Sequence, residues 1–184
     1  MKIFIFYFFA LLIVFSSYAQ DENYTDLTTK FGLKAGINNT SVKTVDADSD
    51  FVQNNTGFYI GAFLKIPTSD TFSIQPELNY ISGEYTANDK ISLLHVPVLL
   101  RLEVGNGFAG YIGPEAILLL DLDDPNKDEF NTFMLGFTFG AAYNINKHLG
   151  IEVRPVFGIT RFYDDGLDSF RRYNTLQFGV FYTF

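Results

Sequence analysis

The chain contains no cysteine. That excludes a lipoprotein anchor, a disulfide framework and any thiolate metal site together. Positive charge is the next shortage. Thirteen Lys and Arg stand against 21 Asp and Glu, a formal net charge of −8, and the basic residues form no cluster. Counterion release from nucleic acid needs a Lys/Arg patch, so no nucleic-acid partner is expected. After the first 20 residues no run of 18 or more apolar residues occurs, which excludes a helical membrane span there. A Gly-rich phosphate loop, zinc-ligand spacing and a nucleophile elbow are also missing. The chain is therefore expected to be no enzyme and to carry no cofactor.

What is present begins with an export signal. Lys2 supplies a short charged region, Ile3 to Phe15 an apolar core, and Ser17-Tyr18-Ala19 a small-x-small cleavage site. Thirteen apolar residues suit a signal core and fall short of the roughly 20 that a spanning helix needs. The expected organisation is a signal peptide over 1–19, an extension over 20–30 and one domain over 31–184.

That domain is written in period two. Over Tyr173–Phe184, Asn174, Leu176, Phe178, Val180, Tyr182 and Phe184 share one side, and Tyr173, Thr175, Gln177, Gly179, Phe181 and Thr183 the other. The pattern recurs over 31–38, 57–66, 71–82, 91–104, 107–120, 131–144, 149–162 and 173–184. Turns at 67–70, 105–107 and 145–148 are short, whereas the polar connections 39–56, 83–90, 121–130 and 163–172 are long. Short turns on one rim and long loops on the other are the two ends of an outer-membrane barrel. The expected fold is all-β, an eight-stranded antiparallel up-and-down transmembrane barrel located in the cell outer membrane, with membrane lipid around it.

Alternation alone does not choose the inside. A lipocalin-like barrel alternates with its apolar face inward. Here the polar parity carries Gly32, Gly36, Gly61, Gly113, Gly136, Gly140, Gly158 and Gly179, as a narrow packed lumen requires. Aromatics (Phe31, Phe58, Phe72, Phe133, Tyr143, Phe162, Tyr182, Phe184) gather near strand ends, as interfacial girdles do. With 17% aromatic and 18% charged residues, the composition suits an exterior that faces lipid.

Nearly all ionisable residues within the strands share the polar parity: Lys34, Lys65, Glu77, Arg101, Glu103, Glu115, Glu152 and Arg154, with His95. Four cations and four carboxylates make a neutral lumen, and inward pairing avoids the cost of about 2–4 kcal/mol for Arg or Lys facing lipid at midplane. Arg101, on the fourth strand, is expected to bridge Glu77 and Glu115 on its neighbours. Arg161 breaks the parity and is placed at the outer rim beside Phe162. Eight strands leave room for side chains only, so a plugged lumen is expected, with a small porin-like transport barrel or a lipocalin-like ligand-binding barrel as the alternatives.

Two further sites are weighed. His95 with a lumen carboxylate sketches an acid/base pair, but no nucleophile is placed beside it, and a hydrogen-bonded lumen histidine is the expectation. Asp121, Asp123 and Asp128 have the alternating oxygens of a calcium loop. Pro125 interrupts it and the turning glycine is missing, so weak cation binding at most is expected.

Several segments together resemble the PorT-like outer-membrane β-barrel family: Phe31-Gly32-Leu33-Lys34-Ala35-Gly36-Ile37-Asn38, Ser73-Ile74-Gln75-Pro76-Glu77-Leu78-Asn79-Tyr80, and Leu93-Leu94-His95-Val96-Pro97-Val98-Leu99-Leu100-Arg101. Tyr111-Ile112-Gly113-Pro114-Glu115 and Phe137-Thr138-Phe139-Gly140-Ala141-Ala142-Tyr143 complete the set. Where the family has Leu-x-Ile-Pro this chain has Leu-His-Val-Pro, and Arg101 stands near the usual Lys. The resemblance implies a Gram-negative barrel inserted by the barrel-assembly machinery, which reads a last strand ending in an aromatic, here Tyr182 and Phe184. Some relatives assist a protein-secretion system, most members have no assigned activity, and the resemblance brings no catalytic residues. The expected function is contact or assembly through the four external loops, with an unidentified protein partner.

Overall fold

The computed structural model describes residues 28–45, 50–86, 89–122, 130–160, 162–164 and 170–184. The expected signal, Arg161, Asp123 and Asp128 lie outside them. Eight long antiparallel strands close a barrel: β1 (Lys30–Val45), β2 (Asp50–Pro67), β3 (Phe72–Thr86), β4 (Asp89–Gly105), β5 (Phe108–Leu122), β6 (Phe133–Asn144), β7 (Leu149–Gly158) and β9 (Phe170–Thr183). A two-residue strand, β8 (Tyr163–Asp164), pairs with the start of β9 at the long-loop rim. Each long strand bonds to the next, and β1 bonds to β9, so no edge is left open.

The inside and outside are those the period-two pattern predicts. Leu78 is 52% exposed while its neighbour Glu77 is 4% exposed, and the contrast repeats at Leu33 against Lys34 and at Ile151 against Glu152. An apolar outer wall around buried charges is the reverse of a water-soluble barrel and matches a hydrocarbon solvent. Phe31, Phe58, Phe72, Phe133, Tyr143, Tyr182 and Phe184 all face out.

The short turns are built as their residues suggest. Gly105, Asn106 and Gly107 all have positive φ, which only glycine and asparagine take up readily. In the 145–148 turn the Asn146 side-chain oxygen accepts the His148 and Leu149 amides.

Several strand limits differ from the sequence reading. The segment 39–56, read as a loop, is mostly ribbon: β1 runs to Val45 and β2 starts at Asp50, with pairs from Asn39↔Thr56 to Val45↔Asp50. Backbone pairing does not require apolar side chains, and no proline or glycine interrupts residues 39 to 56. The outer face of this ribbon changes from the pair Ile37↔Phe58 to the polar pair Asn39↔Thr56. Likewise β3 and β4 run into the segment read as the 83–90 loop. In contrast β7 stops at Gly158, and the Ile159 and Thr160 amides turn back to the Leu135 carbonyl. Phe162, which shares the parity of the inward Arg154 and Val156, does not join the outer girdle. It is fully buried at the long-loop end, its ring 5.0 Å from that of Phe130.

Inward glycines make room for inward aromatics. Gly36 and Gly179 face each other across the closing β1–β9 seam, and Tyr59 lies over them. A Cβ on Gly179 would overlap the Tyr59 hydroxyl, one on Gly140 the Tyr111 ring, and one on Gly32 the Phe63 ring. Gly179→Ala is expected to destabilise the barrel by about 1–3 kcal/mol through overpacking. Chemical unfolding in lipid vesicles measures it, and adding Tyr59→Phe should recover part of the loss. An unchanged midpoint for Gly179→Ala would show that the fit of ring to glycine imposes no constraint.

Candidate functional site

The centre of the lumen is a charge cluster assembled from three strands. Lys34 of β1 places Nζ 2.6 Å from Glu77 Oε2 of β3 and 3.1 Å from Glu152 Oε1 of β7. Arg154 of β7 puts Nη1 2.6 Å from the same Glu77 oxygen. Two cations and two carboxylates thus neutralise one another, and all four are buried. Buried charges persist only when paired and hydrogen-bonded, and here the remaining lone pairs are taken up. Gln75 Nε2 donates to Glu77 Oε1 at 2.7 Å and Asn79 Nδ2 to Oε2 at 3.0 Å. The Tyr59 and Tyr111 hydroxyls donate to the two Glu152 oxygens at 2.8 and 2.9 Å. Arg154 Nε and Nη2 both donate to Gln177 Oε1.

Register explains how strands that are not neighbours meet. Lys34 lies opposite Gly61 on β2, and Gly61 lies opposite Asn79 on β3. With no side chain on Gly61, the lysine reaches across β2 to Glu77. Glu152 lies opposite Gly179, itself opposite Gly36, so the same bare strip opens beside the second carboxylate.

Towards the long-loop rim, His95 Nδ1 pairs with Glu115 Oε1 across the β4–β5 seam. Thr40 and Tyr173 share a hydroxyl hydrogen bond of 3.2 Å, and the Tyr173 ring lies 6.1 Å from that of His95. His95 is thus a buried histidine held by a carboxylate. His95 Nε2 has no hydrogen-bond partner among the described residues, but both members of the pair are out of contact with solvent. The space above is apolar: Ile81, Ile91, Leu93, Ile117, Phe130 and Phe162 belong to one buried cluster. A period-two reading places these residues inward but does not show that they form a cap.

Towards the short-turn rim, Lys65 and Arg101 both engage Glu103 Oε1, Arg101 through Nε at 3.0 Å. This corrects the expected bridge from Arg101 to Glu77 and Glu115. Arg101 lies opposite Ser73 and Tyr111, so the two carboxylates sit four residues farther along their strands, about 13 Å away. Glu77 serves Lys34 and Arg154 instead, and Glu115 serves His95. Parity was sufficient to turn each charge inward, but height along the barrel axis chose the partner.

The remaining candidates lie at the rims. Among the described residues no group of three or more His, Asp and Glu is placed to hold a metal. Asp121 is exposed at the end of β5. Tyr182 and Phe184 face out, their rings 5.1 Å apart. Phe184 stacks on Phe31 at 5.5 Å, and its amide donates to the Phe31 carbonyl at 2.9 Å. The polar residues that complete the cluster (Tyr59, Gln75, Asn79, Tyr111, Gln177) were missed in the sequence because uncharged inward residues carry no signal beyond parity.

Neisserial surface protein A is similar in structure, 12% identical, covering 85% of this chain and 99% of that one with a TM-score of 0.56. Ail, the attachment invasion locus protein of Yersinia pestis, is 11% identical, covering 84% of this chain and 98% of that one with a TM-score of 0.54. The outer membrane enzyme PagL also matches, at 12% identity, 79% and 97% coverage and a TM-score of 0.46. At such identities the first two likenesses speak for the fold alone. No curated protein sequence matches the chain significantly. The model of the outer membrane protein beta-barrel domain matches residues 7–184, nearly the whole length. The chain belongs to the outer membrane protein beta-barrel domain family, as a small closed barrel of the cell outer membrane.

Proposed function

We propose that the protein is a non-conducting, non-enzymatic barrel whose external rim makes protein contacts. The observation that carries this reading is the state of the lumen. Arg154, His95 and Gln177 are 0% exposed and Glu115 1%, so no water column crosses the middle of the lumen as a pore would need. A barrel that neither conducts nor admits substrate acts through its rims. The β1–β2 ribbon supports the external one, since it continues past its last apolar pair with polar residues facing out. The resemblance to PorT-like proteins supports the finer reading of a secretion-system accessory, inserted by the barrel-assembly machinery. Its partner would be a protein met at the external rim.

Site-specific photo-crosslinking in living cells tests the reading. A photoreactive residue at Asn39 or Thr56 should give a discrete protein adduct, while one at Ile37, inside the apolar band, should give none. In planar bilayers the purified barrel should show no sustained conductance steps. Absence of adducts at both polar positions would remove the contact role. Stable single-channel steps would replace it with the porin-like alternative.

A further inference from the structure

We infer that the short-turn end of the barrel holds a binding site for a phosphate group. In outer-membrane barrels the short turns face the periplasm. This mouth opens into a cavity of about 230 Å³ lined by Lys30, Lys65, Arg101, Glu103, Asn144 and Lys147, among others. Four cations face one carboxylate, an excess of three positive charges, whereas the central cluster is balanced. Asp70, on the β2–β3 turn of the same rim, does not line the cavity.

The second observation is Arg101 itself. Its side chain is 3% exposed, yet only Nε has a close partner, Glu103 at 3.0 Å. Nη1 and Nη2 reach Gln75 Oε1 and Asn144 Oδ1 at 3.5 Å, the outer limit of a hydrogen bond. The Phe181 ring lies 5.7 Å from Cζ, which holds the plane of the guanidinium in place. A fixed arginine with two under-used donors, among lysines that act as mobile point charges, is the donor set that phosphate oxygens take up. An excess of three charges suits a multiply charged phosphate better than a single carboxylate. The phosphate has two possible sources, a soluble phosphate ester of the periplasm or the headgroup of an inner-leaflet phospholipid.

The test uses the full barrel in a phosphate-free, uncharged detergent. Titration with glycerol 3-phosphate, followed by calorimetry and by the arginine and lysine side-chain resonances, addresses the soluble source. Native mass spectrometry of barrels released from phosphatidylcholine nanodiscs with and without phosphatidic acid addresses the lipid. Saturable binding of the ester, or selective retention of phosphatidic acid, supports the site and identifies its source. In either arm Lys65→Gln/Lys147→Gln should weaken binding about tenfold or more, and added salt should weaken it further. Both lysines are partly or fully exposed, so the variant is expected to fold, which its heat-shifted gel mobility verifies. Failure of both probes to bind, or equal binding by the folded double variant, overturns the inference.

Discussion

Glu77→Gln is expected to destabilise the barrel by about 3–5 kcal/mol, the largest effect of any conservative substitution in the lumen. Glu77 is the acceptor for four donors, on Lys34, Arg154, Gln75 and Asn79. Glutamine keeps the size of the side chain but removes the charge, leaving two buried cations to share the single carboxylate of Glu152. It also turns an amide donor towards groups that are themselves donors. Guanidinium unfolding in lipid vesicles, with the boiled and unboiled gel mobilities alongside, measures the loss. Lys34→Met in the same background should restore a good part of it, because the cluster then returns to one cation and one anion. A Glu77→Gln midpoint equal to that of the wild type would show that the cluster contributes nothing to holding the wall.

The second large effect concerns the outer face. Leu78→Arg should cost about 2–4 kcal/mol, because Leu78 projects midway up the apolar band opposite Ala62. The control is Val104→Arg. Val104 is 69% exposed but sits beside the Gly105–Gly107 turn, where the penalty falls to about 0–1 kcal/mol. A difference between the two variants reports the depth of hydrocarbon around the barrel. Equal unfolding midpoints would mean that the Leu78 face does not meet lipid.

Period two in the sequence was enough to tell which residues face inward. Lys34, Glu77, His95, Arg101, Glu115, Glu152 and Arg154 are all inside, because a strand residue facing one way forces its neighbours to face the other. Height was not legible. Strands in a closed barrel tilt and stagger, so neighbours in the wall meet at positions that local alternation does not specify. Arg101 pairs with Glu103 rather than Glu77 for that reason alone. Strand ends were legible where glycine or proline marks a short turn and illegible where a polar ribbon continues, as from Asn39 to Val45. Phe162 shows the complementary failure: its place near a strand end grouped it with the girdle, although it shares the inward parity of Arg154 and Gly158 and is buried.

The central cluster also constrains the order of assembly. Lys34 and Glu152 are 118 residues apart in the chain and meet only when the two ends of the sheet come together. A half-threaded sheet lacking β1 would hold Glu77 and Glu152 with Arg154 but without Lys34, two carboxylates against one cation. Such an intermediate would carry an uncompensated carboxylate into hydrocarbon. The electrostatics therefore penalise stepwise threading. They favour a single concerted event in which the strands wait at the membrane surface, and the wall crosses the bilayer as its two edges join.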